Sequence, residues 1–166
     1  MFRTEAVDRC RRKAARRFGS RGASSRWLAS VWTVDGIVPV PHEILSVIIP
    51  AFNEAATLEE IVGRVRATGR VGEIVVVDDG STDGTSEILA RLKEAGSPPL
   101  RVLRHDRNRG KGAAMRTGLA AVTGELVLVQ DADLEYDPAD YPAWLAPFAD
   151  TQVQAVYGSR NLQRNP

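Results

Sequence analysis

Residues 74–84 read Ile-Val-Val-Val-Asp-Asp-Gly-Ser-Thr-Asp-Gly (IVVVDDGSTDG), an aliphatic run that passes straight into two carboxylates and a glycine-bounded turn. An unbroken β-branched run suits a strand covered on both faces, as in parallel sheets. Two adjacent carboxylates directly after such a strand are disfavoured unless something binds them. The Gly-Ser-Thr-Asp-Gly that follows can turn sharply and donate backbone N–H groups, and Asp83 reads as the cap of a following helix. That role leaves Asp78 and Asp79 unexplained.

Outward from this stretch the same texture repeats. Strand-like runs occur at 44–49 (ILSVII), 100–103 (LRVL) and 126–129 (LVLV), with Val153–Tyr157 as one more candidate. Helical patterns lie between them. Leu58, Ile61, Val62 and Val65 fall at i, i+3, i+4 and i+7, and Thr57 and Glu60 have the spacing of a capping box. Ile88, Leu89 and Leu92 mark a second helix, and Met115, Leu119 and Val122 an Ala-rich third. Asp137-Pro138 predicts an N-cap with proline at the first helical position, opening a fourth helix through about Phe148. This alternation predicts an α/β fold with a mostly parallel sheet, flanking helices and right-handed crossovers. Ligands in such sheets gather at the carboxyl ends of the strands.

Composition bounds the partners. The chain has 166 residues, 43% hydrophobic and 26% charged, which suits one compact domain. Net charge is +1 but unevenly spread: residues 1–26 carry +7 and the remainder −6. The Arg-rich start, with Gly and Ser, reads as a disordered solvated tail, an anionic-membrane or nucleic-acid patch being the alternative. Residues 1–43 are thus expected to form a basic extension, with Trp27–Trp32 as a short anchor and Pro39 and Pro41 in an extended linker. A lone Cys10 excludes an intrachain disulfide and fits a reducing compartment. No apolar run approaches the length of a membrane span, and the basic start lacks the apolar core of a secretory signal. Contact with lipid is therefore expected to be peripheral, or made through sequence that this chain lacks, and no nucleic-acid partner is expected.

The other strand ends carry the remaining candidates. After the first strand, Pro50-Ala-Phe-Asn-Glu54 places Asn53 and Glu54 where the crevice of the sheet opens, although either also suits a helix cap. After the third, Asn108-Arg-Gly-Lys-Gly-Ala-Ala114 combines glycines with Arg109 and Lys111 at a helix start, which suits an anion, solvated basic residues being an equally good reading. After the fourth, Val129–Asp137 (VQDADLEYD) sets acids at every second position. On an extended segment Asp131 and Asp133 would share a face and reach one hard divalent cation, Mg2+ or Mn2+, whose other positions go to water and phosphates. A polar loop of solvated acids is the alternative, and Asp137 belongs to capping in either case. Neither a Gly-x4-Gly-Lys-Ser/Thr nor a Gly-x-Gly-x-x-Gly fingerprint is present.

These residues resemble family 2 glycosyltransferases of GT-A (Rossmann-like) fold, most of all the dolichyl- or polyprenyl-phosphate mannose or glucose synthase branch. The resemblance spans about Leu45–Arg160 and rests on IIPAFNE (48–54), VVVDDGSTDGT (75–85), NRGKGAA (108–114), QDADLEYDP (130–138) and YGSR (157–160) in order. It implies a nucleotide-sugar pocket lined by Pro50, Phe52, Glu54, Val77, Asp79, Lys111, Asp131 and Ala132, with Phe52 replacing the family's usual Tyr. It further implies Asp131 and Asp133 as the pair around metal and diphosphate, Glu135 as a further metal ligand, and Arg160 beside donor or acceptor phosphate. Asp131, Asp133 and Arg160 would then be the catalytic residues. The implied reaction moves a hexose from GDP-mannose or UDP-glucose to a polyprenyl or dolichyl phosphate, for cell-wall or glycan biosynthesis, at the inner face of a membrane. A saccharide acceptor, or an inactive nucleotide-sugar-binding module, is the alternative. Relatives continue past the point where this chain stops, so residues 44–166 are expected to form a partial GT-A domain, incomplete at the C-terminus. The acceptor half would be missing, and the exposed face would promote self-association.

Overall fold

The structure, a computed structural model, describes residues 45–158 apart from positions 95 and 151. The expectations for the basic extension, the Trp27–Trp32 stretch, the proline linker and Arg160 lie outside the described residues.

Four strands form one sheet: β1 (Leu45–Ala51), β2 (Glu73–Asp78), β3 (Leu100–Arg104) and β4 (Leu126–Val129). Their spatial order is β3-β2-β1-β4, and every neighbouring pair is parallel, with Ile48 opposite both Val75 and Val129. The connecting helices are α1 (Leu58–Ala67), α2 (Thr85–Glu94) and α3 (Lys111–Ala121). All four strands therefore end at the same edge, which sets the loops 52–57, 79–84, 105–110 and 130–137 side by side.

The aliphatic runs are unbroken because both faces of the central strands are covered. From β1, Leu45, Val47, Ile49 and Ala51 join Ile74 and Val76 of β2 in a core closed by Leu58, Ile61, Val62 and Val65 of α1 and Leu89 of α2. On the other face Val75 and Val77 pack on Ala114 of α3. Burying side chains of this size contributes about 1.5–3 kcal/mol each relative to exposure.

Helix α3 corrects one expectation. Its buried residues are Ala113, Ala114 and Gly118, whereas Leu119 is 41% exposed. The helix lies so close to β1 that a Cβ on Gly118 would stand 2.6 Å from Ile48 Cγ2, so only small residues fit its inner face. The capping box at α1 does not form either. The chain already turns at Glu54, whose carbonyl accepts from the Thr57 and Leu58 amides, and the Thr57 hydroxyl donates back to Glu54 Oε2 at 2.9 Å.

The fourth helical segment exists but is broken. A 3-10 turn (Pro138–Asp140), the short α4 (Tyr141–Leu145) and a second 3-10 turn (Ala146–Ala149) follow one another, since Pro147 cannot supply the amide that an α-helix would need. Asp137 caps the segment, its Oδ1 accepting from the Ala139 amide at 3.0 Å. Val153–Tyr157 is irregular rather than a strand: it pairs with no sheet edge among the described residues, and Tyr157 is 90% exposed.

Candidate functional site

The first two strand tips are tied together by side chains. Asn53 sits at φ 58, its amide donates to Ser81 Oγ at 3.0 Å and its Oδ1 accepts from the Thr82 amide at 2.9 Å. The Glu54 amide donates to Thr85 Oγ1 at 2.9 Å, and the Ala55 amide to Asp83 Oδ2 at 3.1 Å. Asp83 also accepts from the Thr85 amide and hydroxyl, so its expected capping role holds and extends across to the neighbouring loop.

Asp78 and Asp79 are satisfied by different partners. Asp78 accepts from the Ser81 amide at 2.8 Å and from Ser86 Oγ at 2.6 Å, with Arg104 Nε 3.6 Å away. Asp79 accepts from His105 Nδ1 at 2.5 Å, from the Arg109 amide at 3.0 Å and from the Gly110 amide at 2.7 Å. Burial acts to raise both pKa values, but these hydrogen bonds outweigh it and hold both carboxyls below the ordinary range. The compensation that the sequence demanded is thus internal, from the chain's own donors.

The acidic stretch after β4 corrects a second expectation. The strand stops at Val129 and the chain turns over Ala132–Asp133, with Leu134 at φ 64, so the alternation of an extended segment does not apply. Asp131 and Asp133 still meet in the same cavity, whereas Glu135 does not reach it. Buried Gln130 shapes the turn: its Nε2 donates to the Asp131 and Tyr136 carbonyls at 3.1 and 3.0 Å, and its Oε1 accepts from the Tyr141 hydroxyl at 2.9 Å. Burial pushes the Tyr141 phenol well above its ordinary value, keeping it the donor. Lys111, at the start of α3, sets its Nζ 2.6 Å from Asp131 Oδ1.

These loops enclose a cavity of about 340 Å3 at the strand tips. Pro50 lines it from the end of β1, Phe52 and Glu54 from the loop that follows, Asp79 from the loop after β2, Lys111 from the start of α3, and Asp131, Ala132 and Asp133 from the loop after β4. Of the expected nucleotide-sugar residues only Val77 is elsewhere, fully buried against α3. Among the described residues no three His, Cys, Asp or Glu side chains gather as a metal-holding group, so a set of Asp131, Asp133 and Glu135 is not assembled. Asp131 and Asp133, which both line the cavity, fit a hard divalent cation, which commonly takes one or two carboxylates and leaves other positions to water and phosphate.

Asn108 lines the cavity and was not singled out by the sequence, and His105 and Gln130 support it from behind. Asn108 lay within a motif already quoted. A single histidine after a strand and a glutamine before an acid carry no local signal, since their partners lie elsewhere in the chain.

The glycosyl transferase family 2 model matches residues 46–164. An undecaprenyl-phosphate 4-deoxy-4-formamido-L-arabinose transferase from Pseudomonas aeruginosa is 39% identical over 130 residues, covering 76% of this chain and 38% of the relative. The chain therefore spans well under half the length of that curated relative. Among solved structures, the mannosyltransferase PcManGT from Pyrobaculum calidifontis, in complex with GDP-Man and Mn2+, superposes with TM-score 0.61 at 29% identity over 90% of this chain and 41% of that one. Glucosyl-3-phosphoglycerate synthase from Mycobacterium tuberculosis, with Mn2+, UDP and phosphoglyceric acid, gives TM-score 0.52 at 34% identity over 63% of this chain and 38% of that one. With four parallel strands, an acid-lined cavity at their tips and a family match running through all of them, the chain belongs to glycosyl transferase family 2.

Proposed function

We propose that this chain is the donor-binding portion of a glycosyltransferase that moves a sugar from a nucleoside diphosphate sugar to a polyprenyl phosphate. The observation that carries this reading is that Asp131, Asp133, Lys111, Phe52 and Glu54 all line one cavity at the strand tips. In this assignment residues 44–166 form the donor domain and residues 1–43 a separate basic extension. The base and ribose lie along Pro50, Phe52, Glu54 and Asp79, while Val77 supports that wall from within the sheet. Asp131 and Asp133 would hold Mg2+ or Mn2+, and Arg160 would stand beside a phosphate. The relative named for undecaprenyl phosphate supports the acceptor class, and similarity to structures holding GDP-Man and UDP supports the donor class. A hexose carried on GDP or UDP remains the donor we favour.

When the glycosidic bond at the anomeric carbon breaks, negative charge develops on the departing diphosphate. A divalent cation bound there supplies charge stabilisation that is greater in the transition state than in the ground state. The chain's own contribution is to orient the donor: Asp131 and Asp133 would hold the cation at the diphosphate, and Lys111, whose Nζ lies 2.6 Å from Asp131 Oδ1, adds positive charge beside them at the start of α3. A lipid phosphate is already anionic near neutral pH, so its oxygen attacks without a general base. Among the described residues no helix is long and apolar enough to cross a membrane, and we assign the protein to the cytoplasmic membrane surface, held peripherally.

Calorimetric titration of GDP and of UDP, with and without Mn2+, tests the reading. Mn2+-dependent binding of one nucleotide is expected, and replacing Asp131 and Asp133 together by Ala should weaken it about 100-fold, through loss of the cation's two protein ligands. Metal-dependent binding that survives the double substitution would contradict the assignment.

A further inference from the structure

His105 follows β3 directly and is 7% exposed, yet it does not line the cavity. Its amide donates to the Asp78 carbonyl at 2.9 Å, which anchors the loop to the tip of β2. Its ring connects two elements: Nδ1 lies 2.5 Å from Asp79 Oδ1, and Nε2 lies 2.9 Å from Thr117 Oγ1 on α3. A carboxylate only accepts, so Nδ1 carries the proton. The same carboxylate receives the Arg109 and Gly110 amides at the entrance to α3. Gly80 completes the contact, because a Cβ there would fall 2.5 Å from the Arg107 carbonyl carbon. The loop thus lies flat on the tip of β2.

The contacts close a ring: the start of α3 is bound to Asp79, Asp79 to His105, and His105 to Thr117 further along α3. Asn108, Gly110 and Lys111, which line the cavity, all belong to the segment that this ring holds. An apolar side chain at 105 would fill the space but leave Asp79 short of one donor in a buried place, free to rotate away from the loop.

We propose that His105 is a positioning residue of the donor site: by holding Asp79 with one ring nitrogen and Thr117 with the other, it fixes the 108–111 segment where a nucleoside diphosphate is received. This rests on the donor-site reading above. The role differs from that of a ligand, since His105 acts on the donor only through Asp79 and the loop.

The full chain with His105→Phe, His105→Asn and Thr117→Val provides the test. Phe retains the ring volume and loses both hydrogen bonds. Asn retains a donor near the Nδ1 position and loses much of the volume. Amide hydrogen exchange is read at Arg109 and Gly110 against the amides of β1, beside the affinity for GDP and UDP with Mn2+. His105→Phe is expected to speed exchange at the two loop amides about tenfold with β1 unchanged, and to weaken nucleotide binding about tenfold through lost preorganisation. His105→Asn should stay within about threefold of wild type on both readouts, because the buried carboxylate keeps its donor. A role in packing alone predicts the reverse order, with Phe the better tolerated, and that order would overturn the proposal. Should the Phe variant not fold, Thr117→Val decides: about threefold faster exchange at Gly110 supports the ring, and unchanged exchange overturns it. Wild type binding neither nucleotide would overturn the donor-site reading, while the exchange readout would still decide whether His105 holds the loop.

Discussion

Asp78 and Asp79 are adjacent in sequence and face different neighbours: Asp78 is held by nearby Ser81 and Ser86, Asp79 by residues placed far away along the chain. Their presence at a strand tip was legible because an acid pair after four aliphatics is unusual. Their partners were not: Ser86 reaches Asp78 from the first turn of α2, and His105, Arg109 and Gly110 reach Asp79 only once β3 and α3 are in place. Gly80 is the residue on which this junction is most sensitive. It sits at φ 78, and an added Cβ would also stand 2.7 Å from Asn108 N. Gly80→Ala should therefore lower the unfolding free energy by about 2–4 kcal/mol, combining a left-handed backbone with a clash against main chain that cannot rotate away. Gly84 provides the control. It too has positive φ, at 95, but its nearest neighbour to an added Cβ is Glu87 Oε2 at 3.9 Å, so Gly84→Ala should cost only about 1 kcal/mol. Urea denaturation of both variants checks this, and equal losses would show that the loop does not press on Gly80.

Elements were most legible where their pattern had a single solution. The aliphatic runs of β1, β2 and β4 are short, β-branched or apolar, and separated by helical periodicity, which leaves little but a parallel sheet. Helix α3 was located correctly, but of its three marker residues Val122 packs only partly on the core and Leu119 is exposed, while the buried positions are others. Reading by hydrophobicity gives weight to Met115, Leu119 and Val122, but a helix pressed closely onto a sheet selects for the absence of bulk, and Ala113, Ala114 and Gly118 face inward. The candidate strand at 153–157 does not form: apolar content alone does not make a strand, and these residues pair with neither edge strand, β3 or β4, among the described residues. Two glycines separate propensity from packing. Gly63 lies on the exposed side of α1 with nothing within 4 Å of an added Cβ, so Gly63→Ala should stabilise by about 0.5–1 kcal/mol through helix propensity alone. Gly118→Ala gains the same propensity but drives into Ile48, which is fully buried and cannot move aside. Overpacking of this kind costs about 1–3 kcal/mol, so the net change at 118 should be a loss. Thermal unfolding of the two variants should shift in opposite directions, and a shared upward shift would disprove the close packing of α3.

Across the whole molecule, carboxylates tie both ends of the sheet: buried Asp78 and Asp79 at one and half-buried Glu73 at the other. Convergence of the strand tips was legible from the α/β pattern, whereas the turn at 132–134 and the lysine on Asp131 were not, because the first depends on the bonds of Gln130 to Tyr136 and Tyr141 and the second on where the start of α3 lies. The opposite end escaped notice altogether. There Glu73 Oε1 accepts from Ser46 Oγ at 2.6 Å, from the Thr123 hydroxyl at 2.9 Å and from the Thr123 amide, tying β1 and β2 to the connection between α3 and β4. Burial acts to raise the Glu73 pKa, but these donors outweigh it, so Glu73 joins Asp78 and Asp79 in lying below the ordinary carboxylate range. The unfolded chain takes up protons on these groups near pH 4, and the folded chain only at lower pH. Between those values the unfolded state binds more protons, so stability falls as pH falls. The contribution is complete above about pH 5 and is lost as pH drops through the folded values. The melting temperature should therefore hold roughly level from pH 7 to 5 and decline steeply toward pH 3. Glu73→Gln keeps an acceptor oxygen in place but removes the charge and its titration. Relative to wild type, that variant should melt lower at pH 7, with the difference narrowing below pH 5 as the native carboxylate loses its advantage. Melting curves that stay parallel across that range would show that Glu73 is not held below its ordinary pKa, and that the junction at the far end of the sheet depends on geometry without charge.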